Sequence, residues 1–414
     1  MYNYNVQMKC IRNYGVIFMK KRSVIVIMCI ILVITGISAV WGINSQNGYD
    51  IVFNGEKTEY VSEVIEDVHY VPMRQIFEKF GASVFYKSSD NQILALSRDG
   101  DMIRHTIGEN IITVNGEKKS FDSSSVLKDG TTYIPMDMVS VAFVPDEVSY
   151  DNKKLSIQKQ VYETDYHKII KDVLDVSKNG NFYAERFQRY INYHEKKPSY
   201  SMQDVLFRVN LGLDYPFYQN VTEIAQPYEL LVLVNKYNQL PSDFKQYNLV
   251  NMKKEHTVND GKVYLLAGVA YDNFIQMFNA AKKQGLSLLV LSAHRTEVYQ
   301  KYLYDNKVRS AGKVYADNYS ARPGFSEHQT GLAVDITSVE TTFENTAEFR
   351  WLQKHAHEYG FILRYPKGKE WITGYSYEPW HYRYVGTDAA KKIYEEGITY
   401  EEYYAKYVSV NEFR

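Results

Sequence analysis

Asp335 stands inside the segment Leu332-Ala333-Val334-Asp335-Ile336-Thr337, and a carboxylate in so apolar a stretch constrains the fold of this chain more than any other feature. Its period-two alternation predicts a strand, with Leu332, Val334 and Ile336 on a core face and Ala333, Asp335 and Thr337 opposite. A buried ionised carboxylate is costly unless a cation or hydrogen-bond donors compensate it. The fold must therefore bring such a partner to this strand. The sequence offers two candidates: His328 just upstream, in Ser326-Glu327-His328-Gln329-Thr330-Gly331, and His381 well downstream, in Glu378-Pro379-Trp380-His381.

Two neutral imidazoles and one carboxylate meet the needs of a hydrolytic zinc, which takes three N or O protein ligands and keeps one position open. His328, Asp335 and His381 are the candidate zinc ligands. Such a site also needs a general base that is not itself a ligand. Glu378, just before His381, is the candidate, and Trp380 between them is expected to shape the loop and limit the rotamers of His381.

Upstream, the apolar run Leu286 to Leu291 predicts a buried strand, and Thr296 is a plausible N-cap for a helix to about Asn306. Arg295 falls between them. A planar guanidinium suits a terminal carboxylate or a developing oxyanion. Gln300 then lies about one turn into the helix, near the same end. A further strand is expected over Phe361-Ile362-Leu363-Arg364-Tyr365.

The SxHxxGxAxD and ExWH pair, with Ser292-Ala293-His294-Arg295 and Tyr319-Ser320-Ala321-Arg322-Pro323-Gly324-Phe325, resembles the VanY-like D-alanyl-D-alanine carboxypeptidases. The resemblance covers about residues 228–414, beginning at Leu230-Leu231-Val232-Leu233-Val234-Asn235-Lys236-Tyr237-Asn238. It implies an α+β zinc D,D-peptidase/hedgehog-like catalytic domain that removes the C-terminal D-alanine from peptidoglycan stem peptides. It also implies that Arg295, Gln300, Ser326 and Tyr365 line the substrate pocket. Three alternatives stay open: an L,D-carboxypeptidase, a peptidoglycan endopeptidase with the same site, and a non-catalytic cell-wall binding protein. The filled ligand and base positions favour an enzyme. Related sequences often carry Gly-Tyr or Ala-Tyr before the arginine, whereas this chain has Ala293-His294; His294 is read as a loop histidine with a packing role.

The uncharged run Val24 to Trp41 is long enough to span a membrane, and Lys20, Lys21 and Arg22 precede it. The basic flank predicts a cytoplasmic N-terminus (1–22), a transmembrane anchor (23–43) and an extracellular remainder. A cleaved signal peptide, giving a secreted protein, is the alternative. Ala39-Val40-Trp41-Gly42 is a poor cleavage site, which favours the anchor. Cys10 and Cys29 are the only cysteines, so the exported part has no disulfides and must be stabilised by burial.

Residues 49–160 contain a weak repeat: Val52-Phe53-Asn54-Gly55-Glu56-Lys57 returns as Val114-Asn115-Gly116-Glu117-Lys118, and Tyr70-Val71-Pro72-Met73 as Tyr133-Ile134-Pro135-Met136. Each unit predicts a hairpin, a strand ending in proline and a short helix, such as Arg74 to Phe80 stopped by Gly81. This resembles the copper amine oxidase N-terminal-like domain. Copper is not expected, because His69 and His105 have no ligand cluster around them; a wall-facing spacer is. Residues 161–227 predict a helical connector, with helices at Tyr166–Val176 and Asn181–Tyr193, and Ile169, Ile170, Val173 and Val176 on an apolar face. A net charge of −1 and the absence of a basic stripe or phosphate loop argue against nucleic acid.

Overall fold

The computed structural model describes residues 48–142, 147–151, 153–159, 165–177 and 182–409. The predicted cytoplasmic tail, the 23–43 segment and both cysteines lie outside the described residues. Among the described residues no helix is long and apolar enough to cross a membrane. The chain divides into two compact units, Met1–Ile76 with Phe121–Gln160, and Phe77–Ser120 with Val161–Arg414.

In the first unit, Asn54 and Gly55 adopt φ of 47° and 84°, closing a hairpin between Asp50–Phe53 and Glu56–Val61. Asparagine and glycine tolerate positive φ, and such turns match the twist of paired strands. The two repeat strands pair with each other: Val68–Pro72 runs antiparallel to Thr131–Pro135, with Val71 opposite Ile134. Both end in proline, where no ladder donor is lost from the strand interior. Helices Met73–Lys79 and Met136–Ala142 follow directly, and Gly81 stands just past the first at φ 83°.

The second copy of the hairpin, with Asn115 and Gly116 at φ 51° and 91°, belongs to the second unit. There it forms part of a five-stranded antiparallel meander. Leu94 and Leu96 of that sheet share a core with Ile170, Val173, Tyr190, Ile191, Val205 and Val209. These come from the helices Asp165–Val176, Phe187–Lys196 and Met202–Asn210. The helix expected from Asn181 starts later, at Phe187, after a 3₁₀ turn over Ala184–Arg186. Phe182 and Tyr183 are buried before it, and the Tyr183 amide donates to the Tyr190 hydroxyl at 3.1 Å, so side-chain packing displaces the first helical turn.

The rest of this unit is built on a four-stranded antiparallel sheet with strands in the order Val290–Ser292, Ala333–Ile336, His381–Tyr384, Phe361–Leu363. Helix Gly268–Lys283 lays Phe274 and Met277 into the core that holds Val290, Val334, Ile336 and Phe361. The strand expected over Leu286 to Leu291 is shorter and shifted, Val290–Ser292. Gly285 turns the chain at φ 76°, and the ladder to the neighbouring strand has an irregularity between Val290 and Ser292. Thr296 caps helix Glu297–Ala311 as predicted, accepting from the Tyr299 amide at 3.2 Å.

Candidate metal centre

Sheet register assembles the site. Asp335 lies directly opposite His381 on one neighbouring strand and opposite Ser292 on the other. Cross-strand partners hold their Cβ atoms ~5 Å apart, close enough for side chains to share one ligand. Asp335 is buried, as are all four residues of its strand. Leu332, Val334 and Ile336 face the core as the alternation predicted.

His328 enters from a different direction, on the 3₁₀ turn Glu327–Thr330, which Gly331 ends in left-handed conformation at φ 67°. Its Nδ1 lies 2.7 Å from the Ala293 carbonyl oxygen. A carbonyl only accepts, so Nδ1 carries the proton and Nε2 is left with a lone pair. That Nε2 is 3.4 Å from Asp335 Oδ2, and His381 Nδ1 is 3.2 Å from Asp335 Oδ1. The two imidazoles meet edge to face with centroids 4.9 Å apart. One donor atom from each of His328, Asp335 and His381 lies within 4.8 Å of the others, and among the described residues no other group of three has this form.

The donor set fits a zinc ion: two imidazole nitrogens and a carboxylate oxygen, buried, with Asp335 Oδ1 lacking any hydrogen-bond partner. A buried acceptor left without a donor is unfavourable and invites a cation. Electrostatics agrees. Burial favours neutral His328, and Arg295 adds to the effect, lowering its pKa to about 4. Burial would also lower His381, but Asp335 and Glu327 outweigh it and raise it to about 9. Burial pushes the Glu378 carboxyl up to about 7, with His381 opposing and Asp335 adding. Asp335, though buried, is held well below the usual carboxylate range by His328 and Arg295, so this donor stays ionised.

Glu378 Oε2 stands 3.6 Å from His381 Nδ1, beside the donors, on a turn where its amide donates to the Tyr365 carbonyl at 3.2 Å. Arg295 Nη2 donates to Asp335 Oδ2 at 2.6 Å and to Ser292 Oγ at 2.7 Å, while Nη1 faces Gln300 Oε1 at 3.4 Å. Gln300 is buried and donates to the Ala321 carbonyl at 2.9 Å, so it braces both Arg295 and the loop before the metal motif. The Tyr365 ring lies 4.9 Å from His381. All eight residues singled out from the sequence border one cavity of about 600 Å³, with Trp380 also in its wall. His294 is not among its lining residues; burial lowers its pKa, and its amide donates to the Leu265 carbonyl.

Sequence reasoning passed over the groups beneath the donors. Glu327, Arg364, Arg383 and Glu401 are buried charges joined by ion pairs. The signal was available: Arg364 and Arg383 interrupt apolar and aromatic segments just as Asp335 does, although the strand expected over Phe361 to Tyr365 ends at Leu363, before Arg364. Lys307, Tyr315 and Tyr319 also border the cavity and were not anticipated.

Two parts of this chain are similar to known protein families. The profile of the VanY D-alanyl-D-alanine carboxypeptidase family matches residues 264–387, and that of the copper amine oxidase N-terminal domain matches residues 52–159. A Bacillus subtilis (strain 168) protein named as a carboxypeptidase, YodJ, is 44% identical over 191 residues, covering 44% of this chain and 70% of the relative. The D-alanyl-D-alanine carboxypeptidase of Enterococcus faecalis is 37% identical, covering 42% of this chain and 65% of its own length. The bifunctional D-Ala-D-Ala dipeptidase and carboxypeptidase VanXYC of Enterococcus gallinarum is 34% identical, covering 42% and 93%. Among solved structures, the LD-carboxypeptidase LdcB shares 41% identity, covering 45% of this chain and 91% of its own, with a TM-score of 0.43.

Proposed function

The chain belongs to the VanY D-alanyl-D-alanine carboxypeptidase family, and on that footing we propose that it is a zinc-dependent carboxypeptidase removing the C-terminal D-alanine from peptidoglycan stem peptides. The observation that carries this reading is the buried convergence of His328, Asp335 and His381 with Glu378 beside them in one cavity. His328 Nε2, Asp335 Oδ1 and His381 Nδ1 would hold the ion, which when bound supplies Lewis acidity and an activated water near neutral pH.

The chain's own groups do the rest. Glu378 takes the proton of the attacking water as the carbon–oxygen bond forms at the scissile carbonyl. It returns that proton to the amine as the carbon–nitrogen bond breaks and D-alanine leaves. Arg295 keeps Asp335 oriented and presents its guanidinium to the substrate's terminal carboxylate or to the developing oxyanion. Ser326 and Tyr365 line the same pocket as the donors.

The apolar segment 23–43 behind Lys20, Lys21 and Arg22 supports an anchor that leaves the catalytic part outside the cytoplasmic membrane, where peptidoglycan is found. Incubating the full-length protein with purified pentapeptide and tetrapeptide muropeptides, followed by mass spectrometry, tests the function. Loss of one alanine from the pentapeptide, stopped by a chelator and restored by zinc, is the expected result. Loss from the tetrapeptide instead identifies an L,D-enzyme, and intact substrates with zinc present would overturn the proposal.

A further inference from the structure

Behind the metal donors runs a line of buried charge that starts in the cavity wall at Glu327 and ends at Glu401, which is not among the lining residues. Glu327 Oε2 has no hydrogen-bond partner, nor has His381 Nε2, and the two atoms face each other 3.5 Å apart. The other oxygen of Glu327 accepts from Arg364 Nε at 2.8 Å and from Arg383 Nη1 at 3.1 Å. Arg364 then turns its remaining nitrogens on Glu401, donating from Nη1 at 2.9 Å and Nη2 at 2.6 Å in a two-pronged pair. Glu401 sits on the short C-terminal helix Tyr400–Tyr403, beyond the residues matched by the family profile. Asn235 Nδ2, from the segment that opens the catalytic region, donates to it at 3.3 Å. All four side chains of the line are buried.

We infer that His381, Glu327, Arg364 and Glu401 form a positioning relay through which the C-terminal helix fixes the imidazole that holds the metal. The carboxylates of Glu327 and Glu401 are balanced by Arg364 and by Arg383, which flanks the line at Glu327, so these charges can stay buried. Within it Glu327 has one direction left to accept from, and His381 Nε2–H lies there. A proton held on Nε2 leaves the lone pair on Nδ1, the nitrogen that faces Asp335 and Glu378. The two-pronged contact with Glu401 fixes the plane of the Arg364 guanidinium, and hence the angle at which Glu327 meets the ring. Glu401 is thus a positioning residue acting through two others. This inference rests on the zinc reading above.

The test compares full-length wild type with Glu327→Gln, Glu401→Gln and Thr399→Ala. Thr399 caps the same C-terminal helix, accepting from the Glu402 amide at 3.2 Å, so its loss loosens the helix without touching the relay. The readouts are the zinc dissociation constant, from competition with a chromogenic chelator, and the ¹⁵N resonances of labelled His381. Removing such outer partners typically weakens metal binding about 10–100-fold, which is the expectation for Glu327→Gln. A smaller rise, with a moved His381 resonance, is expected for Glu401→Gln, and a lesser change than that for Thr399→Ala, which keeps every relay side chain. Where Glu327→Gln fails to fold, Glu401→Gln against Thr399→Ala carries the same comparison. Wild-type affinity and resonances in the glutamine variants, or equal changes in Thr399→Ala, overturn the relay alone. A wild-type protein that binds no zinc overturns the metal reading and the relay with it.

Discussion

Arg295 donates to Asp335 at 2.6 Å through one carboxylate oxygen and leaves the other, Oδ1, without a partner and facing His381. One guanidinium therefore serves two purposes: it orients a metal donor and lines the cavity. Ser292, opposite Asp335 in the sheet, holds it in place at 2.7 Å. Arg295→Lys is expected to lower kcat/KM by ~10²-fold or more, since an ammonium cannot reproduce parallel donors in one plane. Amidating the substrate's C-terminus separates the roles. Cleavage stops if Arg295 holds the carboxylate and merely slows if it serves the oxyanion; equal rates on both substrates would remove the exopeptidase assignment.

Substituting the donors themselves should abolish metal binding. His328→Ala and His381→Ala are expected to emerge from gel filtration without zinc and without activity, and Asp335→Asn with weakened affinity because the charge is gone. Metal content by mass spectrometry checks this. Full turnover in His381→Ala would sink the ligand assignment.

Glu378 should behave differently. Glu378→Gln is expected to keep its zinc while losing turnover by at least ~10²–10⁴-fold, because the same residue serves two proton transfers. If zinc is lost together with activity, Glu378 is a ligand and not a base.

A pH effect is expected from Lys236, a buried lysine whose Nζ donates to the carbonyls of Asp317 and Gly374 amid the rings of Phe217, Tyr218 and Tyr375. Burial lowers its pKa from 10.5 to about 8, against the pull of Asp317. Between those two values the unfolded chain holds the proton and the folded chain does not, so stability rises with pH. Relative to Lys236→Met, wild type should gain ~1.4 kcal/mol per pH unit from about pH 8 upward and show no trend below it. Urea midpoints measured at intervals from pH 7 to 10 read this directly. A difference that stays flat across the window would count against the lowered pKa.

Gly331 lies between two donors at φ 67°, and a Cβ there would come 2.7 Å from Leu249 Cδ2 and 3.2 Å from the Ala267 nitrogen. Gly331→Ala should lose ~1–3 kcal/mol from backbone strain, with the clash adding to it. Thermal unfolding measures the loss. A melting temperature equal to wild type would show that the turn has room to shift.

Much of the site was legible because its parts are local. The strand around Asp335 announces itself by alternation, the Thr296 cap by its position before a helical run, and the hairpin turns by Asn-Gly. Each depends on backbone preferences over a few neighbouring residues, which a single sequence carries in full. The strand before Arg295 and the helix after Asn181 were misplaced at their edges. Their ends are set by packing, Tyr190 on Tyr183 in one case and a ladder irregularity in the other.

What the sequence by itself determined is the chemistry: which imidazoles and carboxylates exist, and that one carboxylate in an apolar strand must be compensated. What only the tertiary structure decided is which atoms meet. Register placed His381 opposite Asp335, and the Ala293 carbonyl chose the protonated nitrogen of His328. Glu327, adjacent to a ligand in sequence, turned out to face a different ligand while two arginines distant in the chain close over it. The reason is physical: a buried charge can be compensated by any opposite charge the fold brings within a few ångströms, and distance along the chain places no limit on which one that is.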